Sequence, residues 1–341
     1  MTVSEVIEKP VGITMGCPVG VGPEILLRYF AEAGDNSCAA VVLGDSGVLR
    51  RCATQLGLEV SIVDWQPGQE VVPGVVPVLS LSNLAETECR WGQPNKQTGL
   101  AMANYIEEAV RLIGEGALAG MVTCPIAKSA LKAAGYSYPG HTEMLAELTG
   151  CADFAMMLAG ERLRVTLVTI HCALDEVSSR LSVAAVDRLI NITGCALRDD
   201  FGISTPRIAV AGLNPHAGEG GMFGDEEGKV IAPAIEKARA EGWQVTGPFP
   251  PDTVFFKAAA GDFDAVVCMY HDQGLIPFKL LHFADGVNVT LGLPIVRTSV
   301  DHGTAYDIAG KGVASQESLV AAVELATRII GNRQRLKGRK V

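Results

Sequence analysis

The chain has 341 residues, of which 48% are hydrophobic and 19% are charged, and its formal net charge at pH 7 is -10. This composition is typical of a well-buried globular protein and excludes extensive disorder, and the acidic balance argues against a nucleic-acid partner, which would need clustered lysines and arginines. The length exceeds the size at which one hydrophobic core stops growing, so two subdomains are expected.

Strand-like and helix-like segments alternate along the chain, which predicts an α/β fold with largely parallel strand pairing. The predicted strands are Val11–Met15, Ala39–Leu43, Gly120–Cys124, Arg164–Ile170, Arg207–Leu213, Asp264–Met269 and Val287–Leu291. The predicted helices are Pro23–Ala33, Gly99–Ile113, Ala184–Arg198, Glu226–Ala240 and Glu317–Ile330. In open α/β sheets ligands bind outside the carboxyl ends of the strands, so polar motifs at those ends indicate a functional site.

Two glycine-containing segments fail the tests for a nucleotide-binding loop. Gly16–Glu24 follows a strand and opens a helix, but its glycines are not spaced as G-x-G-x-x-G. Gly114–Ala119 fits the relaxed spacing, yet it ends a helix and precedes a strand, which is the reverse of the required order. No G-x-x-x-x-G-K-[ST] motif occurs either, so a Rossmann domain and a P-loop enzyme are both disfavoured. Two interpretations of Gly16–Glu24 are left: a turn that lines a pocket, or a purely structural turn.

The nine cysteines are scattered without a C-x-x-C pair, which favours reduced thiols over a disulfide framework. The amino-terminal sequence MTVSEVIEKP has no apolar core of signal-peptide length. No apolar stretch reaches the roughly 18 residues that a membrane-spanning helix needs. We therefore expect a cytoplasmic protein without a membrane partner.

Five of the six histidines lie in short polar motifs flanked by glycine, proline or a carboxylate, and only His282 lacks that setting. Imidazole is the commonest metal ligand and titrates near neutrality, so these motifs indicate a reaction centre. The motif histidines are His141, His171, His216, His271 and His302.

Three of them, His171, His216 and His271, follow predicted strands. Each alone is also explained as a structural hydrogen-bond donor, but together they would converge on one ion if their strands are neighbours. Zn, Co, Ni, Mn and Fe all bind nitrogen ligands, whereas Mg binds them less well. Asp252 and Asp272 are available as a fourth ligand, an orienting group or a base.

Lys279, Asn288 and Arg297 follow His271, each near a strand end or a turn. Arginine presents a planar fork that suits carboxylate or phosphate, and lysine presents a point charge. Surface salt bridges would explain most individual cations, but cations beside a metal site in an acidic protein suggest a small anionic substrate.

Eight motifs, in chain order, resemble the 4-hydroxythreonine-4-phosphate dehydrogenase family of vitamin B6 biosynthesis. They are T-M-G-C-P-V-G-V-G-P-E, T-C-P-I-A-K, P-G-H-T-E, G-L-N-P-H-A-G-E-G-G, P-D-T-V-F, M-Y-H-D-Q-G, G-V-N-V-T-L-G-L-P and R-T-S-V-D-H-G-T-A-Y-D-I-A-G. The resemblance implies a two-lobed α/β/α sandwich of the isocitrate/isopropylmalate dehydrogenase type, with the active site in the cleft between the lobes. Residues 1–140 with 275–341 would form the nucleotide-side lobe, and residues 141–274 the lobe on the metal and dimer side.

The same resemblance assigns roles to residues. It implies that His171, His216 and His271 bind one divalent metal, Zn, Co, Mn or Mg, with ligands drawn from both subunits of a homodimer. The residues implied to bind substrate are His141, Thr142, Lys279, Asn288 and Arg297. By a looser similarity to the adenosine-binding loop of isopropylmalate dehydrogenases, NAD or NADP would be bound by His302, Gly303, Thr304, Asp307 and Gly310.

The implied reaction is the oxidation and decarboxylation of 4-phosphohydroxy-L-threonine to 3-amino-2-oxopropyl phosphate, in which Asp252, Asp272 or a bound water takes the hydroxyl proton. Cys17 stands where the family usually has an acid, and Met15 replaces a frequent proline. The T-M-G opening and I-P-F-K-L-L resemble paralogues that act on 4-phospho-D-threonate or 4-phospho-D-erythronate, and more distant relatives oxidise aromatic cis-dihydrodiols such as that of terephthalate. The reaction type is therefore better defined than the substrate.

Two hypotheses from other classes are a metal-dependent hydrolase or aldolase and a non-catalytic ligand-binding protein. The D-H-G-T-A-Y-D-I-A-G segment argues against both, because neither needs a nucleotide loop.

Overall fold

The computed structural model describes residues 9–33 and 39–338. The strands in these ranges are β1 (Val11–Thr14), β2 (Ala40–Gly44), β3 (Ser61–Asp64), β4 (Val75–Ser80), β5 (Gly120–Thr123), β6 (Ala155–Ala159), β7 (Arg164–Leu167), β8 (Arg207–Ala211), β9 (Gln244–Phe249), β10 (Ala265–Cys268), β11 (Val287–Leu291) and β12 (Arg297–Val300). The helices are α1 (Gly22–Ala33), α2 (Ser46–Leu56), α3 (Lys96–Gly114), α4 (Lys128–Ala133), α5 (His141–Leu148), α6 (Val177–Arg180), α7 (Val183–Asp199), α8 (Ala232–Ala240), α9 (Pro251–Ala259), α10 (His271–Leu281) and α11 (Glu317–Gly338). No helix in the described ranges is both long enough and apolar enough to cross a membrane.

The predicted strands and helices are all present, with their ends shifted by a few residues in most cases. The largest shift is in α11, which continues to Gly338 instead of ending at Ile330. The predicted helix Glu226–Ala240 begins with a π-helical segment, Glu227–Ile231, before α8. Gly114–Ala119 does end a helix and precede a strand, as the sequence indicates.

The sequence patterns missed five strands (β3, β4, β6, β9 and β12) and six helices (α2, α4, α5, α6, α9 and α10). The strand β3 has only two apolar residues, Ile62 and Val63, and neither is fully buried, so its hydrophobic signal is short. The helix α10 contains Gly274 and Pro277, which ordinarily disfavour a helix. Packing explains the glycine, since a Cβ at Gly274 would lie 2.9 Å from Leu167 Cδ2 on β7. Close approach of α10 to the sheet thus overrides local propensity.

The described chain divides into two compact units. The first unit runs to Ala152 and resumes over Leu293–Gly331, and the second comprises Asp153–Gly292 and the chain from Asn332 onward. Both boundaries lie further along the chain than the 140/141 and 274/275 positions expected from sequence. The reason is packing: α5 packs on α3 within the first unit, whereas α10 packs on β7 and β11 pairs with β6 in the second.

In the first unit the strands follow the order β3-β4-β2-β1-β5-β12. Their pairings are parallel, and β1, β2 and β5 are buried along their whole length. Strands covered on both faces are expected to be continuously apolar, as VGIT and AVVLG largely are. The helix α3 packs against β1, β2 and α4.

In the second unit the order is β11-β6-β7-β10-β8-β9. Here β6 is antiparallel to both β11 and β7, whereas β7, β10, β8 and β9 pair in parallel. The core includes Val165, Val266 and the fully buried Phe278 of α10. Burial of a side chain of this size contributes roughly 1.5–3 kcal/mol, which ties α10 to the sheet.

Candidate functional site

Two of the predicted metal ligands lie side by side in the second unit. His171 comes shortly after β7, and His271 is the first residue of α10 after β10. Because β7 and β10 are parallel neighbours, their carboxyl ends meet, and the two imidazole centroids are 5.9 Å apart. Both histidines line a cavity of about 840 Å³, together with Thr169, Tyr270 and Asp272.

Asp272 orients the ring of His271. The Nδ1 of His271 donates a hydrogen bond of 2.7 Å to Oδ1 of Asp272. A carboxylate on one imidazole nitrogen sets the tautomer and leaves the other nitrogen, Nε2, available as a ligand. Of the roles that the sequence left open for Asp272, this contact supports the orienting one.

His216 lies apart from this pair. It follows β8 in the turn Pro215–Gly221, where φ is positive from His216 to Gly220, between 41° and 78°. Its ring lies beside Phe223, with the centroids 6.1 Å apart. Throughout residues 9–33 and 39–338, no group of three or more His, Cys, Asp or Glu side chains could hold a metal ion. The single chain therefore brings two of the three predicted ligands together.

A buried carboxylate, Glu227, holds the turn that carries His216. Its Oε1 accepts a 2.7 Å hydrogen bond from Asn214 N, and its Oε2 accepts a 3.0 Å bond from Asn214 Nδ2. Gly218 packs directly on this carboxylate, since a Cβ there would lie 2.6 Å from Oε2. Sequence reasoning missed Glu227. The available signal was its position on the buried face of the predicted helix, one turn before Ile231.

Asp252, the other acid-base candidate, lies in the first turn of α9 and is exposed. The helix α9 packs against the turn Pro215–Gly221. Within the described chain the Asp252 carboxylate makes no hydrogen bond or ion pair, so it is available for a ligand or a proton. The structure thus places Asp252 on a helix that contacts the turn of His216, and Asp272 against His271.

Arg297 and His141, two of the predicted substrate ligands, belong to the first unit, where the charge of Arg297 acts on the His141 ring. Arg297 on β12 is 3% exposed, and its Nη2 and Nε donate hydrogen bonds of 2.7 and 3.2 Å to Thr123 Oγ1 on β5. Burial lowers the pKa of Arg297 to about 10, against an opposing effect of the Glu143 carboxylate. The guanidinium is therefore still charged at neutral pH although it is buried.

His141 is the first residue of α5, and its Nε2 is buried without a hydrogen-bond partner in the described residues. Burial, then the charges of Arg297 and Lys128, lowers the pKa of His141 well below 6.5, so the ring is neutral at pH 7. Thr142 follows it in the first turn, and Gly140 caps the helix without a side-chain hydrogen bond. Free amide groups at a helix start, an unpaired imidazole nitrogen and a buried guanidinium together suit an anionic group.

The remaining two predicted substrate ligands belong to the second unit. Lys279 lies on α10, with its Nζ 5.7 Å from the centre of the Phe283 ring. Asn288 lies on β11, and its buried Oδ1 has no hydrogen-bond partner in the part of the chain that the structure describes. An unpaired buried amide oxygen is costly, which is consistent with a ligand donor at this position.

The predicted cofactor residues form one loop of the first unit after β12. His302, Gly303 and Asp307 are exposed, and no atom lies within 4 Å of where a Cβ at Gly303 would stand, so the backbone there is open to a ligand. The carbonyl oxygen of Thr304 accepts a 3.1 Å hydrogen bond from Val21 N. Gly310 has a packing role instead, since a Cβ there would lie 2.6 Å from the Trp91 ring.

The Gly16–Glu24 segment packs as a tight turn. A Cβ at Gly16 would lie 2.4 Å from Pro125 O, and one at Gly22 would lie 2.1 Å from Met15 O. Cys17, in the position where the resemblance leads one to expect an acid, is buried with its Sγ 3.5 Å from Tyr306 Oη. These glycines therefore serve packing, although Pro18 in the same turn does line a cavity.

Comparison with known proteins identifies the family. The model of the family described as "Pyridoxal phosphate biosynthetic protein PdxA" matches residues 36–326. The chain is 56% identical over 320 residues to 4-hydroxythreonine-4-phosphate dehydrogenase of Desulfosudis oleivorans, covering 93% of this chain and 94% of the relative. It is 45% identical over 325 residues to D-threonate 4-phosphate dehydrogenase of Salmonella typhimurium, covering 94% of this chain and 99% of that one.

A crystal structure of 4-hydroxythreonine-4-phosphate dehydrogenase from Klebsiella pneumoniae superposes with a TM-score of 0.88 at 44% sequence identity. The match covers 96% of this chain and 99% of that chain, so it confirms the predicted α/β fold over nearly the whole length. The resemblance drawn from the motifs is confirmed by these matches, and the chain belongs to the PdxA family.

Proposed function

We propose that this protein catalyses the NAD- or NADP-dependent oxidation and decarboxylation of 4-phosphohydroxy-L-threonine to 3-amino-2-oxopropyl phosphate in vitamin B6 biosynthesis. The observation that carries the proposal is the buried Arg297 guanidinium beside the unpaired Nε2 of His141. The names of its relatives supply the substrate class, since both are dehydrogenases of phosphorylated hydroxy acids.

In this reaction the carbinol carbon transfers a hydride to the nicotinamide, and the hydroxyl proton passes to a base. The resulting ketone lies β to the carboxylate, so loss of CO2 follows readily when charge on the carbonyl oxygen is stabilised. Asp252, Asp272 or a bound water remains the proposed base. Because Asp272 already accepts the hydrogen bond of His271, Asp252 is the freer of the two carboxylates.

His171, His216 and His271 are the proposed ligands of one divalent metal, Zn, Co, Mn or Mg. The donor set fits, because imidazole nitrogens suit such ions and Asp272 already orients His271. A metal at this position would supply Lewis-acid stabilisation of a substrate oxygen. His141, Thr142 and Arg297 would bind one anionic group of the substrate, Lys279 and Asn288 would be further substrate ligands, and the loop from His302 to Gly310 would bind the dinucleotide.

A homodimer with a shared metal site is proposed because His216 does not reach the His171–His271 pair within one chain. The surface of the second unit supports a partner. Ile276 and Leu280 on α10 and Phe283 just beyond it are 67%, 85% and 82% exposed, respectively. Their spacing of four and three residues forms an apolar stripe on the helix that begins with His271, and such a stripe is typical of a covered interface.

The assignment is tested by following NADH or NADPH absorbance at 340 nm with 4-phosphohydroxy-L-threonine, 4-hydroxy-L-threonine, 4-phospho-D-threonate and an aromatic cis-dihydrodiol. We expect turnover with the first and a loss of about 10- to 150-fold in kcat/KM without the phosphate, as for a lost charge-assisted bond. Arg297→Lys should cost a similar factor, because lysine lacks the bidentate fork, whereas Arg111→Lys on the exposed face of α3 should not. Equal rates with and without phosphate would refute the substrate assignment.

4-Phospho-D-threonate is the second candidate substrate. It is favoured by the 45% identity to the Salmonella typhimurium enzyme and by the Thr14-Met15-Gly16 opening of the first motif. A higher kcat/KM for this compound than for 4-phosphohydroxy-L-threonine would establish it in place of the first candidate.

A further inference from the structure

A second cavity, in the first unit, has no part in the roles assigned above. It has a volume of about 910 Å³ and lies between α2 and the segment from Glu86 to Trp91. Three arginines line it, Arg50, Arg51 and Arg90, whereas Glu86 is the one carboxylate among the lining residues. This concentration of positive charge stands out in a chain whose formal net charge is -10.

The arginines retain capacity for an anion. Arg90 is exposed, and its guanidinium makes no hydrogen bond or ion pair within residues 9–33 and 39–338. Arg51 donates a 3.2 Å hydrogen bond to Leu84 O, which holds its stem against the cavity wall and leaves other N–H groups. Arg50 has one weak ion pair, 3.8 Å from Asp64, and both side chains are more than half exposed. Burial raises the pKa of the neighbouring Cys89 thiol, so that thiol does not neutralise Arg51.

Trp91 connects this cavity to the proposed cofactor loop. Its Nε1 donates a 2.7 Å hydrogen bond to Gln55 Oε1, and Gln55 Nε2 donates a 2.8 Å bond to Gly310 O. The indole also packs on the backbone of Gly310, where a Cβ would lie 2.6 Å from the ring. Trp91 is thus held between the cavity and the loop by a hydrogen bond and by packing, and its ring offers an aromatic surface to a flat ligand ring.

We propose that this cavity binds the 2′-phosphate on the adenosine of NADP, with Arg51 and Arg90 as its ligands and Trp91 as the adjoining aromatic surface. A phosphate monoester is a dianion, and the arginine fork binds it bidentately. Arginines near the adenosine ribose discriminate NADP from NAD in other nucleotide folds by the same chemistry. The inference rests on the proposed role of the His302–Gly310 loop and adds a preference for NADP.

Binding of 2′,5′-ADP, 5′-AMP and inorganic phosphate to the full chain by isothermal titration calorimetry tests the proposal. We expect 2′,5′-ADP to bind at least about tenfold more tightly than 5′-AMP, because each charge-assisted bond contributes roughly 1.5–3 kcal/mol. Arg90→Ala should remove most of that ratio, and Arg51→Lys should reduce it. Arg111→Ala removes the same charge from an exposed site on α3 and should leave the ratio unchanged.

Equal affinities for 2′,5′-ADP and 5′-AMP, or an Arg90→Ala protein with an unchanged ratio, would overturn the proposal. Inorganic phosphate binding as tightly as 2′,5′-ADP would identify a free-phosphate site and refute the adenosine assignment. The readout needs no turnover. Preferential 2′,5′-ADP binding by a protein that oxidises none of the hydroxy acids would therefore refute the proposed reaction alone.

Discussion

The ring of His282 and the Nε2 of His141 are both buried, but their hydrogen bonds differ. In His282 the Nδ1 donates to Asp285, at 3.0 Å from Oδ2, and the Nε2 accepts a 3.2 Å bond from Arg162 N. Both ring nitrogens are therefore used inside the protein, which agrees with the absence of a polar motif around His282. In His141 the Nε2 has no partner among the described residues, so a ligand remains its natural acceptor or donor.

At the residue scale, stability should depend on pH through His141. Its pKa in the folded protein lies well below the 6.5 of the unfolded chain, mainly because of burial. Below pH 6.5 the unfolded state therefore binds more protons, and the free energy of unfolding falls as pH drops, by at most about 1.4 kcal/mol per pH unit. Urea unfolding at pH 7.5 and pH 5.5 measures this. Between these two values the free energy of unfolding should fall less for His141→Asn than for the unaltered protein. Identical falls in both proteins would contradict this.

The three proposed metal ligands give a second prediction for single residues. His171→Ala, His216→Ala and His271→Ala should each lower metal affinity by more than the 10- to 100-fold typical of changes to orienting groups. Metal content after dialysis against a weak chelator measures this. His302→Ala is the matched control, because it removes an exposed imidazole of the cofactor loop and should retain the metal. Full metal content in one of the first three variants would exclude that histidine from the site.

At the scale of elements, the turn Pro215–Gly221 is a left-handed run stabilised by one buried carboxylate. Sequence patterns signal that the segment is a turn, through Asn214-Pro215 and its glycines. They do not reveal that Glu227, thirteen positions after Asn214, accepts its hydrogen bonds. That contact depends on where the π-helical segment Glu227–Ile231 packs, which only the folded chain defines.

Two glycine variants separate the effect of backbone strain in this turn from the effect of the contact with Glu227. Gly218 and Gly220 both have positive φ, 78° and 66°, so alanine at either costs about 1–2 kcal/mol in backbone strain. Only Gly218 packs against Glu227, and no atom lies within 4 Å of a Cβ at Gly220. Gly218→Ala should therefore lower the free energy of unfolding more than Gly220→Ala does, and should also weaken metal binding. Equal effects in urea unfolding would show that the Glu227 contact is unimportant.

The whole molecule is expected to associate through the apolar stripe of Ile276, Leu280 and Phe283. Leu280→Glu places a charge at the most exposed residue of this stripe. The variant should be a monomer in sedimentation analysis and should bind the metal more weakly. Val72→Glu, in the first unit, is the control for charge on an exposed apolar residue, since Val72 is 58% exposed. A dimeric Leu280→Glu protein, or a monomeric and fully active unaltered chain, would contradict the shared-site proposal.

The sequence by itself determined the α/β class, seven of the twelve described strands and the motifs at their ends, because burial on both faces makes parallel strands continuously apolar. It also determined the family, since the motifs persist in order along the chain. Elements with a short or conflicting local signal were missed, such as the four-residue edge strand β3 and the helix α10 with its internal Gly274 and Pro277.

Only the tertiary structure decided which distant residues meet. The 5.9 Å approach of His171 and His271 follows from the pairing of β7 with β10, and the packing of Trp91 on Gly310 joins segments more than two hundred residues apart. The unit boundaries likewise depend on which sheet each helix packs against. Periodicity reports only which face of an element is buried, whereas the partner of that face is selected by packing between segments remote in sequence.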